Sequence, residues 1–371
     1  MRALLVSLAF PNQKKEDIRE SLEELKELVR AVDGKVLGYV VQKRSSPDVR
    51  FYIGAGKVEE IRQILEGISA DTVVFNGFLN PSQIHHLESA LKVKVLDKAD
   101  LVLEIFSRRV RSKTAKLQVE LARLELELPR LYGKGKELSR LGGGVGTRGP
   151  GEQEAEMRRR WIKRRIQQIK EELEEIKKQR KEQRKSRERL SADKKLIKIA
   201  LVGYTNVGKS SLMQALTGKE TFIADMPFAT LDTKTSGMNL SQDIRILLTD
   251  TVGFIRDLPH ELIESFKATL EELQESDILL HVVDISDRKW LEKVKVVKKV
   301  LSELGVEDKP TIYVFNKADK VVEKEEDTEF LTEPAFLSEK SVVISVKRGW
   351  GLRKLMDVIK QTVEELTEVG R

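Results

Sequence analysis

At 371 residues the chain has room for two or three domains, each able to bury a core, and it lacks cysteine, which excludes disulfides and thiolate metal centres. No stretch approaches the ~20 apolar residues of a membrane span, so stable membrane insertion is not expected; a reducing cytoplasm is, with peripheral membrane contact at most. The net charge of +7 is uneven: Arg158 to Leu190 holds 15 Lys/Arg against 6 Asp/Glu, a local +9 that leaves −2 for the remainder.

Residues 1 to about 112 alternate short apolar runs (Arg2–Ala9, Val36–Gln42, Asp71–Phe75, Val93–Asp97) with helical patterns (Glu16–Val32, Gly56–Ser69, Pro81–Leu91). Leu22, Leu25, Leu28 and Val29 share one face of the first helix. Alternation on this scale predicts a small α/β domain, a mostly parallel sheet with covering helices. Gly54-Ala55-Gly56-Lys57 sits at a strand-to-helix turn, but it lacks the outer glycine of a phosphate loop and reads as a helix N-terminus. His85 and His86 lie on a predicted helix, outside any ligand-spaced cluster, and read as structural.

Residues 113–191 change character. Leu117, Leu121, Leu124 and Leu128 recur at intervals of 4, 3 and 4, and Ile162, Ile166, Ile169, Leu173 and Ile176 continue that rhythm beyond a glycine-rich loop over 142–152. The expectation is an antiparallel helical hairpin with facing seams. Arg158, Arg159, Arg160, Lys163, Arg164 and Arg165, with Arg148 in the loop, make it basic. A charge run is usually a solvated helix face, yet a solvated face needs no net excess of one sign. A polyanion is therefore the favoured partner, with RNA held through shape and phosphates, because Tyr132 and Trp161 are the aromatics at hand.

From 192 to 371 the pattern is that of a nucleotide-binding domain around a central, mostly parallel sheet. The apolar run Leu196–Val202 leads into Gly203-Tyr204-Thr205-Asn206-Val207-Gly208-Lys209-Ser210, and a helical pattern starts at Ser211. Strand, glycine-bounded loop and helix form the context a P-loop needs: backbone N–H groups cradle phosphate, Lys209 reaches the β- and γ-phosphates, and Ser210 ligates Mg²⁺. Phe228-Ala229-Thr230-Leu231-Asp232 offers Thr230 as a second Mg²⁺ ligand and γ-phosphate sensor. Asp250-Thr251-Val252-Gly253 closes the strand Ile244–Thr249, with Asp250 holding Mg²⁺ through water and the Gly253 N–H facing the γ-phosphate. Lys209, Thr230 and Gly253 are thus the expected transition-state contacts.

After the strand Thr311–Phe315, Asn316-Lys317-Ala318-Asp319 supplies a carboxylate that can accept from guanine N1 and N2, donors that adenine lacks. Asn316 should tie this loop to the P-loop, Lys317 should lie along the base, and the Ser345 and Val346 N–H groups, just after Ile344, should meet O6. Phe254 stands where many GTPases place a water-positioning glutamine, so slow intrinsic hydrolysis is expected. No general base is evident, and Arg256 reads as solvated. The last helical pattern is Leu352–Leu366.

The chain resembles the HflX family of translation-factor-related GTPases along nearly its whole length. The resemblance rests on Gly54-Ala55-Gly56-Lys57-Val58-Glu59-Glu60, Glu104-Ile105-Phe106, Leu128-Pro129-Arg130-Leu131, the 142–152 loop, Phe228 to Asp232 and Asp250 to Ile255. It implies GTP hydrolysis stimulated by the large ribosomal subunit, with the N-terminal domain and hairpin on rRNA near the peptidyl-transferase region. It also implies the splitting of stalled or idle ribosomes under stress. Use of ATP and RNA remodelling have been attributed to some members, and a further C-terminal domain occurs in some. The competing readings are a nucleotide-driven RNA-remodelling enzyme and a GTP-gated protein adaptor. Nothing in the sequence demands a dimer, and a monomer is the expectation.

Overall fold

A computed structural model describes residues 1–141, 150–190, 195–218, 227–228, 234–256, 273–331 and 340–369. The chain forms two compact units, one built on Met1–Glu175 and a second beginning at Ile176.

The first unit holds four parallel strands in the order β2-β1-β3-β4: β1 (Arg2–Ala9), β2 (Lys35–Lys43), β3 (Thr72–Asn76) and β4 (Lys94–Leu96). Helices α1 (Lys15–Ala31), α2 (Ala55–Gly67), α3 (Pro81–Leu91) and α4 (Lys98–Arg109) cover it. Seven consecutive residues of β1 are buried, as a strand covered on both faces requires. Leu4, Val6 and Leu8 point into a core with Ile53, Ile61, Phe75 and Leu87. The α1 face expected from the sequence, Leu22, Leu25, Leu28 and Val29, is the buried one. Helix α4 was not expected. Asp97 caps it by accepting from the Asp100 N–H at 3.0 Å, and Asp100 returns the contact to the Asp97 N–H at 3.2 Å.

Helices α5 (Lys113–Leu141) and α6 (Pro150–Leu190) form the expected hairpin. Glu127 meets Arg158, Glu120 meets Arg165 and Lys113 meets Glu172, an antiparallel register. Leu117, Leu121, Leu124, Ile162 and Ile169 are buried, whereas Leu128, Ile166, Leu173 and Ile176 are half-buried. A second stripe, Ala115, Val119 and Ala122, is buried as well, and α5 also packs on α3 and α4. Arg130 of α5 is fixed to Asp100 at 2.8 Å.

The second unit carries six strands in the order β10-β9-β8-β5-β7-β6: β5 (Lys195–Gly203), β6 (Lys234–Asn239), β7 (Ile244–Asp250), β8 (Ile278–Asp284), β9 (Thr311–Asn316) and β10 (Ser341–Val343). All are parallel except β6, which runs antiparallel to β7. Helices α7 (Lys209–Thr217) and α8 (Trp290–Glu303) pack on the sheet, and α9 (Leu352–Val369) buries Leu355, Ile359 and Val363. No helix among the described residues is long and apolar enough to cross a membrane.

Candidate nucleotide site

The parallel strands of the second unit deliver their C-terminal ends to one edge of the sheet, where α/β folds bind ligands. The loop Gly203–Ser210 leaves β5, Asp250 ends β7, Asp284 ends β8 and Asn316 ends β9. Backbone geometry explains the loop's glycines. Gly203 has φ +151°, and a Cβ there would sit 2.3 Å from the Val282 carbonyl oxygen; Gly208 has φ +96°, and its Cβ would meet Asn316 Nδ2 at 2.4 Å. Asn206 also takes a left-handed φ, +60°, tolerated by its short polar side chain. The result is a loop that turns back on itself into the N-terminus of α7.

Lys209 is buried, and its Nζ donates to the carbonyls of Gly203 (3.1 Å) and Tyr204 (2.9 Å). Burial pushes its pKa down to about 8, with nearby Asp250 opposing the shift. Ser210 Oγ donates to Asp250 Oδ2 at 2.6 Å, and Asp250 is fully buried. A hydroxyl and a carboxylate so close together are the hard oxygen donors that suit Mg²⁺. Thr251 donates its hydroxyl to the Leu201 carbonyl at 2.6 Å, anchoring the end of β7 to β5. Val252 and Phe254 are buried, and a Cβ on Gly253 would lie 3.0 Å from Lys209 Nζ.

The loop after β9 is joined to the P-loop as expected: Asn316 Nδ2 donates to the Val207 carbonyl at 2.9 Å. Lys317, at φ +66°, donates to the Asn206 carbonyl at 2.7 Å and pairs with Asp284 at 2.7 Å. Ala318 is buried, and Asp319 accepts from Ser345 Oγ at 2.6 Å, which aims the carboxylate. One expectation needs correction. The Ser345 N–H donates to the Trp350 carbonyl at 3.2 Å and the Val346 N–H to Asn316 Oδ1 at 3.1 Å, so both donors assigned to O6 are engaged within the protein. Ile344 is buried beneath them.

Phe228 is buried at φ +55°. Ala229, Thr230, Leu231, Asp232 and Arg148 lie outside the described residues. Arg256 corrects the expectation of a solvated side chain: its guanidinium pairs with Glu292 at 2.8 Å, and its backbone N–H donates to Tyr204 Oη at 2.7 Å. Sequence reading missed Tyr204 Oη, Asp284 and Glu292; these contacts span 33 residues or more, and no local pattern announces them.

The basic residues of the hairpin divide. Arg158 and Arg165 bridge to α5, and Arg160 pairs with Glu156 at 2.6 Å. These three are partly neutralised rather than bare. Arg159 is half-buried, whereas Lys163 and Arg164 are exposed and have no ion-pair partner among the described residues. Trp161 is 49% exposed beside them, with the Arg158 guanidinium 4.6 Å from its ring centroid. Gly54 caps α2 and Lys57 pairs with Glu60, while His86 contacts Ser82 and Phe51, all structural uses.

A positive-φ glycine loop, a buried lysine, a serine–aspartate pair and an Asn-Lys-x-Asp loop on one sheet edge define a P-loop GTPase. Models of three families match: "GTP-binding GTPase N-terminal" over residues 19–107, "GTP-binding GTPase Middle Region" over 109–187 and "50S ribosome-binding GTPase" over 198–317. GTPase HflX of Caldanaerobacter subterraneus is 45% identical, over 99% of this chain and 82% of its own. GTPase HflX of Escherichia coli is 36% identical, over 86% of this chain and 73% of its own. Among solved structures, SsGBP in complex with GDP is 31% identical with a TM-score of 0.51, each chain covered to 99%. The chain belongs to the GTPase HflX family and hydrolyses GTP.

Proposed function

We propose that this GTPase acts on the large ribosomal subunit, which it grips through the basic face of α6, and that it splits stalled or idle ribosomes while the subunit accelerates its GTP hydrolysis. The observation that carries the reading is Lys163 and Arg164, exposed and uncompensated among the described residues beside a half-exposed Trp161. Phosphates suit the cations and an unpaired base suits the indole. The match to a model described as a 50S ribosome-binding GTPase supports the same partner.

In the nucleotide site Lys209 would contact the β- and γ-phosphates, Asn316, Lys317 and Asp319 the base, and Gly253 the γ-phosphate. Ser210 and Asp250, with Thr230, would hold Mg²⁺, which neutralises phosphate charge when bound. A buried phenylalanine at 254 cannot orient a water, so an outside surface has to complete the site.

The test is GTP hydrolysis with and without purified large subunits at low and moderate salt. Stimulation of at least about tenfold is expected, falling as salt rises and lost when Lys163 and Arg164 are changed to Glu. Tight GTP binding without stimulation would assign the enzyme a different partner. Stimulation that survives the charge reversal would leave the subunit as partner and remove α6 as its grip.

A further inference from the structure

Asp319, the carboxylate placed at the base, belongs to a closed circuit of contacts within the second unit. Ser345 Oγ donates to it at 2.6 Å and accepts from the Arg348 N–H at 3.2 Å. The backbone of Ser345 exchanges both of its hydrogen bonds with Trp350, at 3.2 and 3.1 Å, which closes the loop 345–350. Gly351 follows at φ +67° and leads into α9, its carbonyl accepting from the Leu355 N–H at 3.0 Å. In the other direction the chain leaves Asp319 through a 3₁₀ turn, Ala318–Lys320, where the Ala318 carbonyl accepts from the Val321 and Val322 N–H groups at 2.8 and 2.9 Å. Glu325 then reaches back, and its Oε1 accepts from the Gly351 N–H at 2.9 Å. The circuit runs from Asp319 to Glu325, Gly351, Ser345 and back to Asp319.

Helix electrostatics explain why an acid stands there. The first turn of α9 holds no acid of its own, and Arg353 and Lys354 add two cations to a helix end that already carries partial positive charge. Glu325 supplies the negative charge from a separate stretch of chain, onto the N–H of the residue that precedes the helix, as the acid of a capping box does from within. Glu325 is exposed and has no ion-pair partner among the described residues. It is nonetheless held in place, because its carbonyl accepts from the Thr328 N–H at 3.0 Å and from Thr328 Oγ1 at 2.6 Å. Two links of the circuit depend on a side chain other than that of Asp319: the Ser345 hydroxyl, which touches the carboxylate, and Glu325, which acts at a distance.

We propose, on the assignment of Asp319 to the base made above, that Glu325 is a positioning residue for guanine recognition. By holding the Gly351 N–H it fixes where the loop 345–350 ends, and with it the Ser345 hydroxyl that aims Asp319. Loss of the bond lets that loop shift and relaxes the direction of the carboxylate. A hydrogen bond to one guanine donor tolerates such a shift, whereas a bidentate grip on N1 and N2 does not. Selectivity for the base is thereby set in part by a residue that does not touch the nucleotide.

The experiment uses the full chain with Mg²⁺ and titrates GDP and inosine diphosphate, which lacks the 2-amino group. The readout is the preference for GDP in the parent, Asp319→Ala, Glu325→Ala and Glu325→Gln. The parent should prefer GDP by about tenfold or more, the worth of a hydrogen bond to a charged acceptor, and Asp319→Ala should abolish the preference. Glu325→Ala should narrow it roughly two- to fivefold. Glu325→Gln, whose amide oxygen can still accept from the Gly351 N–H, should keep most of it. A parent without the preference, or an Asp319→Ala variant that retains it, removes Asp319 from the base and overturns the role of Glu325 with it. A preference lost in Asp319→Ala but intact in Glu325→Ala overturns Glu325 alone, including the case where both affinities fall equally because the loop is damaged. Equal narrowing in Glu325→Ala and Glu325→Gln also overturns it, since the bond to Gly351 is then not the cause. Glu325 is exposed, so its replacement leaves the core intact, and thermal denaturation of the nucleotide-free variants checks that they fold.

Discussion

Each of the two units has a wholly or mostly parallel sheet in which one strand is followed by a helix entered at a glycine, with a lysine in the first turn of that helix. One turn is a phosphate loop and the other is not, and the difference lies in conformation rather than composition. Gly54 has an ordinary φ of −68°, and its N–H is taken by the Gln42 side chain at 2.8 Å. Lys57 then points outward to Glu60. Gly203 and Gly208 instead take positive φ angles that fold the loop inward, and Lys209 is drawn back over it onto two carbonyls. Two glycines and a lysine suffice for a helix cap. The outer glycine, four residues of backbone and a buried ammonium are needed to surround an anion.

The sharpest test of this contrast is to remove each lysine in turn. Lys209→Ala should lower GTP hydrolysis roughly 100- to 1,000-fold, because it deletes a preorganised positive charge. Lys57→Ala loses one exposed ion pair and should leave the rate within about twofold. Steady-state hydrolysis of the two variants checks it, and equal losses would break the comparison.

The glycines give a smaller effect of opposite signs. Gly208→Ala forces a Cβ to within 2.4 Å of Asn316 Nδ2 at φ +96°, and nucleotide binding should weaken roughly 10- to 100-fold. A Cβ on Gly56 meets nothing within 4 Å, so Gly56→Ala should keep full nucleotide affinity and raise stability by up to about 1 kcal/mol through helix propensity. Titration with GDP and thermal denaturation of both variants read these out. Lost nucleotide affinity in Gly56→Ala would make the first turn a second nucleotide site.

What was legible in the sequence follows from how local each cause is. The edges of β1, α3 and the P-loop helix are set by runs of apolar residues, a proline and glycines within a few positions, and they could be read directly. Helix α4 was missed although Asp97 and Asp100 spell a capping box, because the three-residue β4 before it left little pattern to anchor the reading. Strand β6, Lys-Thr-Ser-Gly-Met-Asn, has no apolar alternation and exists through its pairing with β7. The second buried stripe of α5 was hidden by the more regular leucine seam. In the nucleotide site, residue types and spacing were readable from sequence, whereas the Ser345–Trp350 closure that takes up a backbone donor was not. Nor was the Tyr204–Arg256 bond, because each depends on where distant strands place their ends.

The smallest and most discriminating contrast is in acid. His281 on β8 is buried, and burial with the nearby Lys298 and Lys209 charges brings its pKa down to about 3. Its neutral form is the folded one, so below the unfolded value of about 6.5 the unfolded chain binds the extra proton and the second unit loses stability as pH falls from about 6 toward 3. Asp97 in the first unit goes the other way. Burial and the Asp100 charge raise its pKa to about 6, so the folded chain holds the extra proton between about pH 4 and 6, and stability falls as pH rises through that window. Each swing should be of the order of 1–3 kcal/mol, a pKa unit being worth about 1.4 kcal/mol before relaxation reduces it. Calorimetry of the full chain between pH 4 and 6.5 should therefore show one transition rising in temperature while the other falls, relative to variants that lack the group in question. His281→Phe keeps a ring in place and should flatten the slope of the nucleotide-binding unit alone; Asp97→Asn should flatten that of the first unit alone. Parallel slopes in the parent chain would mean that the two buried groups do not govern the acid response of their sheets.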